Sequence, residues 1–147
     1  MRKEILIFDI VPVPAPRPRV TKSGAYMPES YRNFKRIIGY LARRQLKAPF
    51  TGAVKMNILF QFKKPKSWSK AKRKRAFWHT QKPDKDNLEK SIKDALEGIA
   101  YRNDSAVASG SIHKVWGDCN RIVVELEDLS DEERPEMFYQ YAKEEGR

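Results

Sequence analysis

Three aspartates and one lysine carry the residue types from which phosphodiester chemistry can be built. Asp84 and Asp86 stand two apart in K-P-D-K-D-N-L-E-K, Lys90 follows four residues after Asp86, and Asp104 closes the stretch Y-R-N-D. Carboxylate oxygens are the hard ligands that Mg2+ prefers, and one to three of them commonly hold it beside a phosphate. In an extended segment, side chains two apart point the same way, so Asp84 and Asp86 could share one ion. A cation at Lys90, near the first turn of the following helix, could stabilise charge developing on a phosphorane or orient the attacking water. The same residues also have plainer roles. Asp86-Asn87-Leu88-Glu89 reads as a capping box. Lys90 can pair with Asp94 at i+4, a surface bridge worth about 0.3–0.5 kcal/mol, and Asp104 suits a turn. Spacing alone leaves both sets open.

The elements around these residues must bring Asp104 back to the other two. Asn87 to Glu97 reads as a helix with Leu88, Ile92, Ala95, Leu96 and Ile99 on one stripe and Gly98 at its C-terminal cap. Such a helix runs about 16 Å, so Asp104 meets Asp84 and Asp86 only if residues 100–103 fold back. Val107 to Trp116 and Arg121 to Glu127 read as strands joined by a turn over 117–120. Upstream, Glu4 to Val11 reads as a strand, followed by V-P-V-P-A-P-R-P-R-V. The prolines make that segment an extended surface connector, from which Arg17 and Arg19 could reach phosphates; Lys22 follows in a Ser-Gly turn. Ser30 to Lys47 has helical spacing in Tyr31, Phe34, Ile38 and Leu41, and Pro49 ends it. Val54 to Phe62 alternates like a half-buried strand. The predicted order is β-α-β-α-α-β-β, an α+β single domain with a mixed β-sheet packed by helices. Residues 1–128 form the expected domain and 129–147 an acidic extension, with a short helix starting near Pro135.

Charge bounds the partners. The 147 residues carry a formal net charge of +11. The last 21 hold eight acidic and three basic residues, so the first 126 carry 27 basic against 11 acidic. A body of that charge attracts polyanions, nucleic acid foremost. Eight basic residues lie between Lys63 and Arg75, among them Lys66, Lys70, Lys72, Arg73, Lys74 and Arg75. Ser67 or Ser69 could cap a short helix there. Trp68, Phe77 and Trp78 are interleaved with these charges; they can stack on bases, although core packing suits the tryptophans as single residues. The single cysteine, Cys119, excludes an intramolecular disulfide framework and a cysteine-rich zinc site. No apolar run approaches the roughly 20 residues of a membrane helix, and the N-terminus reads as a strand rather than a signal peptide. A cytoplasmic setting without membrane or small-molecule cofactor is expected.

The full string K-P-D-K-D-N-L-E-K-S-I-K-D-A-L-E-G-I-A-Y-R-N-D-S-A-V resembles the core motif of RusA-type Holliday-junction resolvases, a family often encoded by phages and prophages. The resemblance extends to P-V-P-A-P-R-P-R-V and to S-W-S-K-A-K-R, and covers the chain to about Leu126. It implies that Asp84, Asp86 and Asp104 bind Mg2+, with Mn2+ as a substitute, and that Lys90 is the catalytic lysine. Asn87 matches the asparagine of the pattern and is placed with the DNA-contacting residues. Where many members carry two adjacent acids this chain has Asn103-Asp104, and the acidic extension is outside the pattern. The resemblance further implies a homodimer that resolves four-way DNA junctions by paired nicks leaving 5′-phosphate and 3′-hydroxyl ends, in recombination and repair. The alternative is a catalytically weak, prophage-derived protein that binds branched DNA.

Overall fold

A computed structural model describes residues 2–145, and the side chain of Arg19 lies outside the described residues. In chain order the elements are β1 (Lys3–Phe8), β2 (Arg19–Thr21), β3 (Gly24–Tyr26), α1 (Glu29–Gln45), β4 (Val54–Lys63), α2 (Lys70–Arg75) and α3 (Lys85–Leu96). A 3-10 turn (Asp104–Ala106), β5 (Val107–Gly117), β6 (Arg121–Asp128) and α4 (Glu136–Tyr141) follow. Four strands form a mixed sheet in the order β1-β6-β4-β5, as the α+β reading requires. β6 is antiparallel to both β1 and β4, while β4 and β5 are parallel. The short turn between β5 and β6 therefore does not make a hairpin, because β4 lies between them. β4 is the strand with the most regular apolar alternation, and the centre buries it best. The Gln61 amide donates to the Cys119 carbonyl at 3.0 Å and the Lys63 N–H to Asn120 Oδ1 at 2.9 Å, fastening the crossing turn to its end.

α1 and α3 contact each other and supply the helical side of the core. Leu88, Ile92 and Leu96 are fully buried with Tyr31, Ile38, Ile58, Phe60, Ile122 and Leu126. Burial of each such side chain stabilises the fold by about 1.5–3 kcal/mol. The helices approach closely at Gly39, where an added Cβ would lie 2.9 Å from Ile99 Cδ1.

Three local expectations change. β2 and β3 form a small hairpin around Lys22 and Ser23, where the sequence read a connector with a turn. The proline-rich segment is not wholly on the surface: Pro12 and Ala15 are buried, and the Ala15 N–H donates to the Asn87 carbonyl at 2.9 Å. Finally, α3 begins at Lys85 instead of Asn87, so the N-cap position falls to Asp84.

Candidate active site

The shifted start of α3 decides where the two nearby aspartates go. Asp84, in extended backbone conformation at the N-cap, makes no side-chain capping bond. Asp86 sits in the first turn, and its Oδ1 accepts from the Asn87 N–H at 2.9 Å. The capping box is thus not formed as the sequence suggested. Nor do the two carboxylates share one extended segment: positions two apart at a helix start face different ways. Asp86 lines an open groove of about 300 Å³ together with Glu89, Lys90, Lys93 and Asp104. Asp84 is not among those lining residues; its charge instead acts on Lys114 of β5, opposing the burial that lowers the lysine's pKa.

Asp104 returns to line the same groove as Asp86 and Lys90, with its carboxylate clustered with those of Asp94 and Glu97 and not with Asp84 and Asp86. Past α3, Gly98 takes a φ of +80°, the left-handed conformation that glycine adopts cheaply. Ile99 and Ala100 then donate to the Leu96 carbonyl, at 3.0 and 2.9 Å, and Gly98 donates to the Tyr101 carbonyl at 2.8 Å. This compact turn reverses the chain. Asn103 then caps the 3-10 turn, its Oδ1 accepting from the Ser105 N–H at 3.1 Å. That bond gives Asn103 a positioning role beside Asp104, with no need for a carboxylate.

Asp94, which spacing offered only as a surface partner of Lys90, and Glu97, which it did not single out, lie close to these residues. Lys90 Nζ reaches Asp94 Oδ2 at 3.1 Å, and the same oxygen accepts from the buried Tyr31 hydroxyl at 2.9 Å. Burial and the Asp94 carboxylate together push the Tyr31 hydroxyl above its ordinary pKa. The surface pairing of Lys90 is therefore real, and it also holds the ammonium at the groove. Asp94, Glu97 and Asp104 each bring a carboxylate oxygen within 4.8 Å of the others. The signal for this second trio was the i, i+3 spacing of Asp94 and Glu97 at the end of α3. Burial pushes Tyr101 upward too, reinforced by Asp104 and Glu97. All these donors are carboxylate oxygens, a set suited to a hard divalent cation.

Apart from Asn87, the predicted DNA contacts lie on two other segments, the proline-rich arm and the α2 region. Arg17 is exposed on the segment that Ala15 ties to the first turn of α3, and Asn87 is exposed in that turn. Ser69, not Ser67, caps α2, its Oγ accepting from the Lys72 N–H at 3.2 Å. Lys66, Lys70, Lys72, Lys74 and Arg75 are exposed, whereas Arg73 is partly buried and donates to the Pro65 carbonyl at 3.0 Å. Trp68 packs edge-on against Trp116 at 4.7 Å, with Lys72 Nζ 4.4 Å above its ring. Trp78, in contrast, is exposed. Among the described residues no helix is long and apolar enough to cross a membrane.

Comparison with known proteins identifies the family. Residues 9–127 match the sequence model of the family described as Endodeoxyribonuclease RusA. An uncharacterized protein of Bacillus subtilis (strain 168), YqaN, is 30% identical over 130 residues, which cover 81% of this chain and 92% of that protein. The matched span runs from just after β1 to the last strand of the sheet and includes every acid of the groove, so the chain belongs to the RusA family of endodeoxyribonucleases.

Proposed function

We propose that this protein is a metal-dependent endonuclease that resolves four-way DNA junctions by paired nicks, acting as a homodimer. The observation that carries the reading is the groove lined by Asp86, Asp104 and Lys90, in a chain that also presents the exposed basic helix α2. Asp86 and Asp104 would hold Mg2+ there, with Asp84 joining from the helix start and Mn2+ as a substitute; the ion supplies Lewis acidity and lowers the pKa of water. Lys90, steadied by Asp94, places a positive charge next to the scissile phosphate. Arg17, Arg19, Asn87 and the exposed cations of 66–75 bind the DNA backbone. Such contacts position the nucleic acid without reading its sequence.

The test is cleavage of a synthetic mobile four-way junction with Mg2+, wild type beside Asp86→Asn. Nicking by the wild type and a loss of at least a hundredfold in the variant are expected. Undiminished cutting by Asp86→Asn would sink the assignment. The divergence of Asp84 from Asp86 favours the second reading, a branched-DNA-binding protein of prophage origin with weak catalysis. A junction gel shift without any Mg2+-dependent product would support it.

A further inference from the structure

The outer edge of β5 carries a feature that the cleavage chemistry leaves unused. Phe77 and Trp78 are 55% and 61% exposed, although both are large aromatic side chains. Their rings meet edge to face, with centroids 4.9 Å apart. The backbone beneath them is fixed. The Trp116 N–H donates to the Phe77 carbonyl at 2.6 Å, Trp78 bridges Val115, and the His79 N–H donates to the Lys114 carbonyl at 3.0 Å. Open side chains on a strapped backbone bind with little ordering cost.

We propose that Phe77 and Trp78 form a stacking site for unpaired nucleobases, the DNA being the branched substrate of the function proposed above. The surroundings select this occupant. On the N-terminal side lies α2, whose Lys70, Lys72, Lys74 and Arg75 are exposed and suited to phosphates. On the C-terminal side the strap continues: Lys114 Nζ donates to the Gln81 carbonyl at 2.6 Å, three residues before Asp84. In chain order the rings therefore stand between the exposed cations of α2 and Asp84, on a strap that runs along β5. Flat rings flanked by cations suit a base with its phosphate, because every base offers a π-face. An apolar protein surface or lipid would leave the adjacent cations unmatched. A second copy of this chain would bring two strongly basic bodies together at this point. Paired bases inside a duplex are already stacked, so the site selects those opened at a branch.

The experiment compares wild type, Phe77→Ala, Trp78→Ala and Trp78→Tyr in equilibrium binding to oligothymidine, a four-way junction and a plain duplex of equal length. Sedimentation of each variant is recorded alongside. Each alanine is expected to weaken oligothymidine and junction binding about tenfold while duplex affinity changes less than twofold, and Trp78→Tyr is expected to keep most of the affinity. Both side chains are exposed, so folding is not at stake, and unchanged sedimentation checks this. The site is refuted by no loss on oligothymidine, by an equal loss on all three ligands, or by dissociation of an oligomer. Ring-dependent oligothymidine binding in a protein that cuts no junction would uphold the site and reject the nuclease reading.

Discussion

At the level of single residues, the site depends on one carboxylate that touches neither metal nor DNA in the proposed scheme. Asp94 accepts from Tyr31 and from Lys90, so it orients Lys90, the lysine proposed to assist cleavage, from behind. Asp94→Asn keeps the Tyr31 bond and removes the charge that holds Lys90. A tenfold or greater fall in single-turnover cleavage with junction affinity unchanged is expected; a change in affinity alone would argue against this role. His79 is a second such residue. It stacks on Phe62 at 4.1 Å and lies 4.3 Å from Trp116, and its Nδ1 has no hydrogen-bond partner among the described residues. Burial, with Lys114 nearby, lowers its pKa below the ordinary 6.5. The folded state therefore binds the proton less readily than the unfolded chain. The stability His79 allows is present above 6.5 and lost as pH falls toward the lower folded value. Denaturation midpoints measured at pH 7.5 and 5.5 should separate in the wild type and converge in His79→Phe.

For the elements, the decisive contact is the pairing of β4 with β5, because β5 follows directly from Asp104 and carries Lys114. Gly110 lies opposite Met56 with a φ of +147°, and a Cβ there would sit 1.8 Å from the Met56 carbonyl oxygen. That neighbour is backbone and cannot turn aside. Gly110→Ala is expected to cost about 3 kcal/mol or more, read as a lower denaturant midpoint. Cleavage should fall with it even at temperatures where the variant stays folded, since the strand leading from Asp104 must shift. Full activity at unchanged stability would show that this pairing is not needed to place the acid.

Across the whole molecule, charge is divided between a basic body and an acidic extension. The extension is anchored where the Leu129 N–H donates to the Ala53 carbonyl at 2.9 Å, and Arg134 pairs with Glu144 at 2.5 Å. Its six acids can compete with DNA for the basic surface. Deleting residues 129–147 is expected to tighten junction binding severalfold at about 50 mM salt, with the gain shrinking near 200 mM as screening grows. Unchanged affinity together with loss of the dimer would instead make the extension a subunit contact.

Local signals in the sequence were enough to define the helices, the alternating strands, the Gly98 stop and the chemical character of the groove. Hydrophobic period and cap residues act over a few positions, and so does the string D-K-D-N-L-E-K with Asp104 at its spacing. Three matters depended on contacts between distant segments. The central place of β4 followed from which strand could be buried on both edges. The start of α3 at Lys85 split Asp84 from Asp86, which no spacing rule for an extended segment could foresee. The exposure of Trp78 and the inward turn of Arg73 were set by the β5 edge and the Pro65 carbonyl. Composition and spacing specify which carboxylates and cations the chain offers; the fold brings Asp86, Asp104 and Lys90 to one groove and leaves Asp84 acting on Lys114. The physical reason is that pattern is local, whereas a site is made where a reversed turn and a strand register bring remote residues together.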